Sequence, residues 1–437
     1  MTVTAKAHGM DGKLVEADWA PLTLNEVRAL LAEFPGCGEP VEILSVSPRP
    51  FSAASVVRTA NGQVFIKRHH RAVRDAEGLR EEHRLVNYLL EHGAAVPRVI
   101  SNISNETAIE LGEWTYEVHD VPQGIDLYQD ALSWTPFRTE AHARSAGQAL
   151  ARLHLATEGF DAPRRKPRPL VASFTIFAAE DASAEMERYL AARPALAKNA
   201  DVRVNWTRAL ELLAPFHAEL LSLLPALTPL WTHNDLHASN LLWSDARDDA
   251  QAAAIIDFGL ADRTNAVHDL AHAIERNIVE WLALAGEGQR SEIRDQRSEI
   301  RDQRSEIRDQ RSEIRDQRSE IRDQGSESVA TGALDVSIHF DHLCALLDGY
   351  ESVRTLSDEE AAALAPMTAL CHAEFALSEA DYFLGVLRSE EKAAMASEGW
   401  LVGHARWFRG AGGKRLLDTI RKWAETPERR IERVQPS

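Results

Sequence analysis

Cysteine is scarce, with Cys37, Cys344 and Cys371 the only three in 437 residues. They stand too far apart for a metal-ligand spacing, and their scarcity fits a reducing compartment rather than a disulfide framework. Long apolar runs are missing as well. The most apolar stretch, from Leu212 to Trp231, is interrupted by His217, Glu219 and prolines. It reads as a core helix approaching a strand and not as a membrane span. The opening MTVTAKAHGMDGK has no apolar signal-peptide region, and a cytoplasmic location is the expectation. Positive charge is in deficit: 49 Lys and Arg face 67 Asp and Glu, for a net charge of -18. Bulk electrostatic attraction to nucleic acid or an anionic membrane surface is therefore excluded, and neither is expected as a partner. The remainder, with 44% hydrophobic and 27% charged residues, is the composition of an ordinary globular protein. The length allows about two or three cores.

The chain divides by its periodicities. Thr23 and Glu26 form a capping-box pattern ahead of Val27, Leu30, Leu31 and Phe34 at helical spacing. We assign residues 1–40 to an N-terminal helical extension. VEILSVS, ASVVRT and QVFIKR then read as three strands, the last two joined by the Asn61-Gly62 hairpin signal. A helix from Leu79 to Leu90 ends at Gly93, and AVPRVI, TAIE and WTYEVH look extended. Residues 41–120 thus predict a small antiparallel sheet with one inserted helix. From about Pro136 helical patterns dominate, with helices expected around Ala146 to Leu153, Met186 to Leu196, Trp206 to Leu224, Asp269 to Leu284 and Leu334 to Tyr350. Two short strands, LLW at 241–243 and AAAIID at 252–257, interrupt this half. Residues 121–437 form a helical lobe, and the fold class is α+β with two lobes.

One segment stands apart. From Arg290 to Gln324 the heptad RSEIRDQ occurs five times without change. A coiled coil needs two apolar positions per heptad, and here only Ile293 and its repeats qualify. On a helix, Arg290 would face Arg294, Asp295 would face Glu299, and Glu292 would face Asp295, all of them repelling pairs. With Gly286, Gly288 and Gly325 at its flanks, the block reads as a mobile surface insertion between two helices.

The chemistry concentrates in LWTHNDLHASNLLW and IIDFGLAD. The first contains His233-x-Asp235-x-x-x-x-Asn240, and Asp257-Phe258-Gly259 begins seventeen residues after Asn240. A carboxylate that orients a hydroxyl and takes its proton is what phosphoryl transfer requires, and Asp235 is placed for it. Asn240 and Asp257 offer the hard oxygen ligands that Mg²⁺ prefers, and a hairpin between them would bring both to one end. His233 fits a loop brace better than a reacting group. Upstream, Lys67 ends the apolar run Val64-Phe65-Ile66, and Glu82 lies on the following helix, with Glu81 as the alternative acid. A lysine held by a glutamate would aim its ammonium at the α- and β-phosphates of ATP.

With these residues in hand, the chain resembles the aminoglycoside phosphotransferase and choline kinase superfamily. The resemblance runs from about Val41 to Asn277 through IKRHH, REEHRLVNYLLEHGAAVPRV, GQALARLHLA, THNDLHASNLLW and IIDFGLADRTNAVHDLAHA. It implies a bilobal protein-kinase-like fold, ATP with Mg²⁺ between the lobes, and a helical lobe that builds the pocket for a small-molecule hydroxyl acceptor. It also implies that YEVHDVPQG is the interlobe linker, with Glu117, Val118 and His119 near the adenine, and that Asp269 is a buried brace. The sequence departs from the family in two places. Asn234 stands where glycine is usual, and the phosphate-covering loop SPRPFSAASV has no glycine, leaving small residues such as Ser55 to present backbone amides.

A protein kinase needs an activation loop and an A-P-E motif, whereas only twelve residues lead from Asp257 to Asp269 and no A-P-E follows. A pseudokinase would have degraded Lys67, Asp235, Asn240 or Asp257, and all four are intact. For the acceptor, His237 reads equally as a contact or a loop histidine. Glu374, Glu379 and Asp381 read as a solvated helix face rather than an amine site, and Trp400, Trp407 and Trp423 as core anchors. The charge-balanced repeat should carry no core. Replacing Arg290 to Gln324 by a short Gly-Ser linker is expected to leave melting temperature and turnover unchanged, and a large loss of either would show that it packs on the enzyme.

Overall fold

The computed structural model describes residues 6–8, 14–281 and 338–426; the RSEIRDQ repeat lies outside them. Strands β1 (Lys6–His8) and β2 (Leu14–Glu16) form a short antiparallel ribbon. Helix α1 (Leu24–Leu31) starts on the expected capping box: Glu26 N–H donates to Thr23 Oγ1 at 3.2 Å, and Thr23 N–H donates to Glu26 Oε2 at 3.3 Å.

Five antiparallel strands follow the predicted runs: β3 (Pro40–Val46), β4 (Ala53–Thr59), β5 (Gly62–His70), β6 (Ala108–Leu111) and β7 (Trp114–Asp120), in the order β3-β4-β5-β7-β6. Helix α2 (Ala76–Glu91) inserts between β5 and β6, capped by Asp75, whose Oδ1 accepts from Gly78 N–H at 2.7 Å. AVPRVI is not a strand. It contributes one bridge, Val99 to His119, because Pro97 has no N–H to offer a ladder. Alternation gives the sheet two different faces. Ile66, Val64, Tyr116 and Val118 pack on Val27, Leu30 and Leu31 of α1 and on Phe34 just beyond it, in one core. The N-terminal helix is thus part of this lobe rather than an appendage to it. The opposite face carries Lys67, His69, Glu117 and His119.

The second lobe is helical: α3 (Glu140–Thr157), α4 (Ala182–Ala191), α5 (Pro194–Lys198), α6 (Ala200–Leu221), α7 (Ala266–Ile278), α8 (Phe340–Glu351), α9 (Asp358–Leu370) and α10 (His372–Tyr382). The single helix expected over Met186 to Leu196 is two, since Pro194 pushes Arg193 out of the helical region. Four short strands make two ribbons inside this lobe. β9 (Leu241–Trp243) pairs with β10 (Ala252–Ile255) as expected, and β8 (Pro229–Thr232) pairs with β11 (Asp262–Asn265). The second ribbon escapes sequence reading because DRTN is four polar residues with no alternation. Trp400 and Trp423 are buried and Trp407 is half-buried, as expected of core anchors. No helix among the described residues is long and apolar enough to cross a membrane.

The helices α3 and α8 touch backbone to backbone through two glycines. A Cβ on Gly147 would lie 2.0 Å from the Leu346 carbonyl oxygen, and one on Gly349 would lie 2.1 Å from that of Arg144. Gly147→Ala should therefore destabilise the protein by about 1–3 kcal/mol through overpacking, against its favourable helix propensity. Gly36→Ala, with nothing within 4 Å, should be near neutral. Paired denaturant melts check this, and equal midpoints would contradict the packing.

Candidate active site

β8 delivers the chain into the interior and the residues after Thr232 turn sharply. Asn234 takes φ 60°, the left-handed region that asparagine tolerates better than most residues. Its side chain is used as well. Oδ1 accepts from Thr232 Oγ1 at 2.9 Å and from Thr264 Oγ1 at 3.2 Å and lies 3.2 Å from His268 Nδ1. The asparagine thus ties β8, β11 and α7 together in a way that glycine cannot.

Helix α7 holds the rest of the loop. Asp269, wholly buried, accepts from the backbone N–H of His233 at 2.8 Å and of Asn234 at 2.7 Å, and from His154 Nε2 at 3.0 Å. Burial alone would raise its pKa, but the hydrogen bond and charge of His154 and the backbone donors hold it at about 2. About two turns further along α7, Asn277 donates to the Leu236 carbonyl at 2.8 Å and accepts from Ala238 N–H at 3.0 Å. His233 is fully buried, its Nε2 3.0 Å from the Ile256 carbonyl oxygen. It braces the loop and does not face the cavity.

The β9–β10 hairpin brings Asn240 and Asp257 to one end, where Ile256 N–H donates to the Asn240 carbonyl at 3.0 Å. Asn240 Nδ2 donates to Asp235, to its carbonyl at 2.9 Å and its Oδ2 at 3.1 Å. Asp257 has φ 63° and caps a tight turn over Phe258–Leu260. Across the cleft, Lys67 Nζ donates to Asp257 Oδ1 at 2.8 Å. Burial would push the Asp257 carboxyl up, yet the Lys67 ammonium overrides it and holds the group far below the usual carboxylate range. Lys67, Asp235, Asn240 and Asp257 line one interlobe cavity of ≈ 150 Å³, with Arg49 and His237.

The other expected residues lie elsewhere. Glu82 does not pair with Lys67. Its carboxylate lies 3.6 Å from Arg165 Nη2, and Glu81 bonds Arg168 at 3.2 Å. The reason is positional: the segment after α3 threads Arg165 and Arg168 beneath α2, and buried carboxylates take the nearest guanidinium. Arg165 and Arg74 in turn donate to the Gly259 carbonyl at 3.1 and 2.6 Å. Ser55 sits opposite Ile66 on the α1 face of the sheet, buried with its hydroxyl unpartnered. Val118 shares that face. Glu117 is on the Lys67 face, but its carboxylate is taken by three imidazoles: His69 Nε2 at 2.9 Å, His83 Nε2 at 2.8 Å and His119 Nε2 at 2.9 Å. None of Ser55, Glu82, Glu117, Val118 and His119 lines the cavity.

Sequence reasoning missed the far wall. Arg276 on α7, fully buried, forms an ion pair through Nη1 with Asp235 Oδ1 and lies 4.9 Å from the Phe375 ring centroid. Trp134, Phe375 and Glu379 line the cavity beside it. The acidic cluster placed on a solvated face is in fact buried, with Glu374 2%, Glu379 1% and Asp381 7% exposed. Glu374 accepts from Thr175 Oγ1 at 2.9 Å and from Ile176 N–H at 2.6 Å, and Asp381 pairs with Arg193 at 3.8 Å. Burial pushes the Glu379 carboxyl up to about 8. The signal that was available is the alanine-rich remainder of α10, which leaves little polar surface to face water.

The chain matches the phosphotransferase enzyme family over residues 49–304, more than half its length, and it belongs to that family. Its fold is shared with a microcompartment-associated aminopropanol kinase, at 14% identity over 90% of this chain and 99% of that one, with a TM-score of 0.50. An aminoglycoside phosphotransferase from Alicyclobacillus acidocaldarius aligns at 16% identity over 93% of this chain and 98% of its own, with a TM-score of 0.45. No curated protein matches the sequence significantly.

Asn234 supplies a stability test. Asn234→Gly keeps the left-handed turn but removes the one partner of His268 Nδ1 and one acceptor each of Thr232 and Thr264, a loss of about 1–3 kcal/mol. Asn234→Ala should cost about 1–2 kcal/mol more, because alanine resists positive φ. Thermal melts in the order parent, glycine, alanine are expected; an alanine variant as stable as the glycine one would refute the role of the backbone angle.

Proposed function

We propose that this phosphotransferase moves the γ-phosphoryl group of ATP to a hydroxyl of a small molecule such as an aminoglycoside, an amino alcohol or a sugar-like metabolite. The observation that carries the reading is the convergence of Lys67, Asp257, Asn240 and Asp235 on one cavity between the lobes. Residues 41–120, with α1 packed on their sheet, form the nucleotide-binding lobe in this reading and 121–437 the catalytic lobe.

The residues fit a divalent cation. Asn240 spends its Nδ2 on Asp235, so the amide oxygen is the atom left for a metal. Asp257 receives Lys67 and Gly259 N–H on Oδ1, which leaves Oδ2. These are the hard oxygens that Mg²⁺ prefers, and Mg²⁺ when bound neutralises charge on the phosphates. Lys67 supplies a fixed ammonium for the same phosphates. Asp235 accepts the proton of the acceptor hydroxyl as its oxygen bonds to phosphorus and the bond from phosphorus to the leaving ADP oxygen breaks. Arg276 and Asn240 fix the carboxylate's orientation, and Asp269 and Asn277 fix the loop that carries it.

The short path of the chain from Asp257 to α7 favours a small acceptor over a peptide. It makes one tight turn over Phe258–Leu260, pairs as β11 over Asp262–Asn265, and enters α7 at Ala266. No segment is left between these elements to support a peptide backbone. The acceptor end of the cavity is instead walled by Trp134, Phe375 and Glu379.

Asp235→Asn and Lys67→Ala separate the two halves of the site. Asparagine keeps the shape of the aspartate but takes no proton, so turnover should fall by roughly 10²–10⁴-fold with nucleotide affinity nearly intact. Lys67→Ala should weaken both binding and turnover, because the ammonium contacts the phosphates in the ground state and the transition state alike. ADP release with an acceptor found by screening hydroxylated amines and sugars, together with titration of a fluorescent ATP analogue, measures both. Full turnover by Asp235→Asn would overturn the assignment.

A further inference from the structure

Three metal-ligating side chains meet in the interior of the helical lobe, away from Asp257 and Asn240. Glu275 comes from α7, His372 opens α10, and His404 lies on the helix Gly403–Arg409. They are 0%, 2% and 5% exposed. Glu275 Oε1 stands 3.4 Å from His372 Nδ1 and 3.4 Å from His404 Nδ1. No hydrogen bond joins them: both carboxylate oxygens and all four imidazole nitrogens are buried without a hydrogen-bond partner, and Arg276 Nε stands 3.6 Å from Glu275 Oε2. Each such group is costly to bury, and folded proteins do not ordinarily leave six of them together.

The spacing has a specific chemical reading. Ligands about 2.0–2.2 Å from a tetrahedral ion stand about 3.3 Å from one another, which is close to the separation seen here. The His83, Glu117 and His119 cluster has the same composition but a different geometry. Its imidazoles lie 2.8 and 2.9 Å from the carboxylate, at hydrogen-bonding distance, and of that cluster's buried polar atoms only His119 Nδ1 lacks a partner.

We propose that Glu275, His372 and His404 bind a divalent transition-metal ion of the Zn²⁺ type, in a site separate from the interlobe cavity. Three protein ligands leave a fourth position. A water molecule completes the set. The site staples α7 to α10 and to the Gly403–Arg409 helix. Because Arg276 follows Glu275, and Phe375 and Glu379 follow His372, the staple fixes the acceptor wall of the cavity. It rests on geometry independent of the reaction proposed above.

The full chain, purified without a polyhistidine tag, is stripped with EDTA, reloaded with ZnCl₂ and dialysed. Elemental analysis should find about one zinc per chain, and zinc should raise the melting temperature above that of the EDTA-treated protein. Glu275→Gln and His404→Gln should each lose the metal, and His83→Gln should keep it. Because a ligand variant can fail to fold, Co²⁺ loaded into the unmutated protein gives a second reading. One equivalent should show the intense visible absorption of tetrahedral cobalt. No bound zinc, binding lost only in His83→Gln, or a weak octahedral cobalt spectrum would each overturn the site.

Discussion

The buried Asp269 carboxylate receives two consecutive backbone N–H groups and one imidazole, and the geometry of the whole cleft follows from that arrangement. Its two oxygens take the amides of His233 and Asn234 at 2.8 and 2.7 Å. This fixes the direction in which the chain leaves β8, and with it where Asp235 points. An ionised carboxylate with no solvent is costly, and here charge-assisted hydrogen bonds offset the cost. His154 is itself held by Tyr350, whose hydroxyl lies 2.6 Å from Nδ1, so the brace extends from α7 through α3 to α8. The close approach at Gly147 and Gly349 lets those two helices come near enough to complete it.

Charge joins the two lobes at the cavity in addition to the apolar core they share. Lys67 reaches Asp257 across the cleft, while Arg74 and Arg165 hold the Gly259 carbonyl from the other side. Glu81 and Glu82 of α2 neutralise the second set of cations. Two parallel connections result, one through the cavity and one beneath it. Fixing Asp257 from both sides keeps its unusual left-handed backbone in place, a conformation that costs about 1–3 kcal/mol at a non-glycine residue.

Helix α7 concentrates this logic. All thirteen of its residues are buried, and among them are His268, Asp269, His272, Glu275, Arg276 and Asn277. Asp269 holds the loop at His233 and Asn234, Asn277 holds it at Leu236 and Ala238, and Arg276 holds the Asp235 carboxylate between them. One face of the helix therefore serves the loop while Glu275 turns into the opposite core. Polar groups in such numbers are retained in an interior only where each is directed at something, and α7 is read most simply as a polar spine for the site.

Local patterns carried much of this. Alternation located β3, β4 and β5, helical spacing located α1, α2 and α3, and the two loop motifs located Asp235, Asn240 and Asp257, because strand pleat, helical turn and hairpin closure all act within a few residues. Asn234 was legible in the same way, since positive φ is a property of a residue and its neighbours. The sequence by itself did not determine pairings made across distance. Glu82 against Arg165, Arg276 against Asp235, and the burial of Glu379 each depend on which helix comes to lie over which. A lysine and a glutamate fifteen residues apart carry no information about an arginine that reaches them from a third segment. Tertiary packing decided those contacts, because a buried charge takes whichever opposite charge the fold brings within reach.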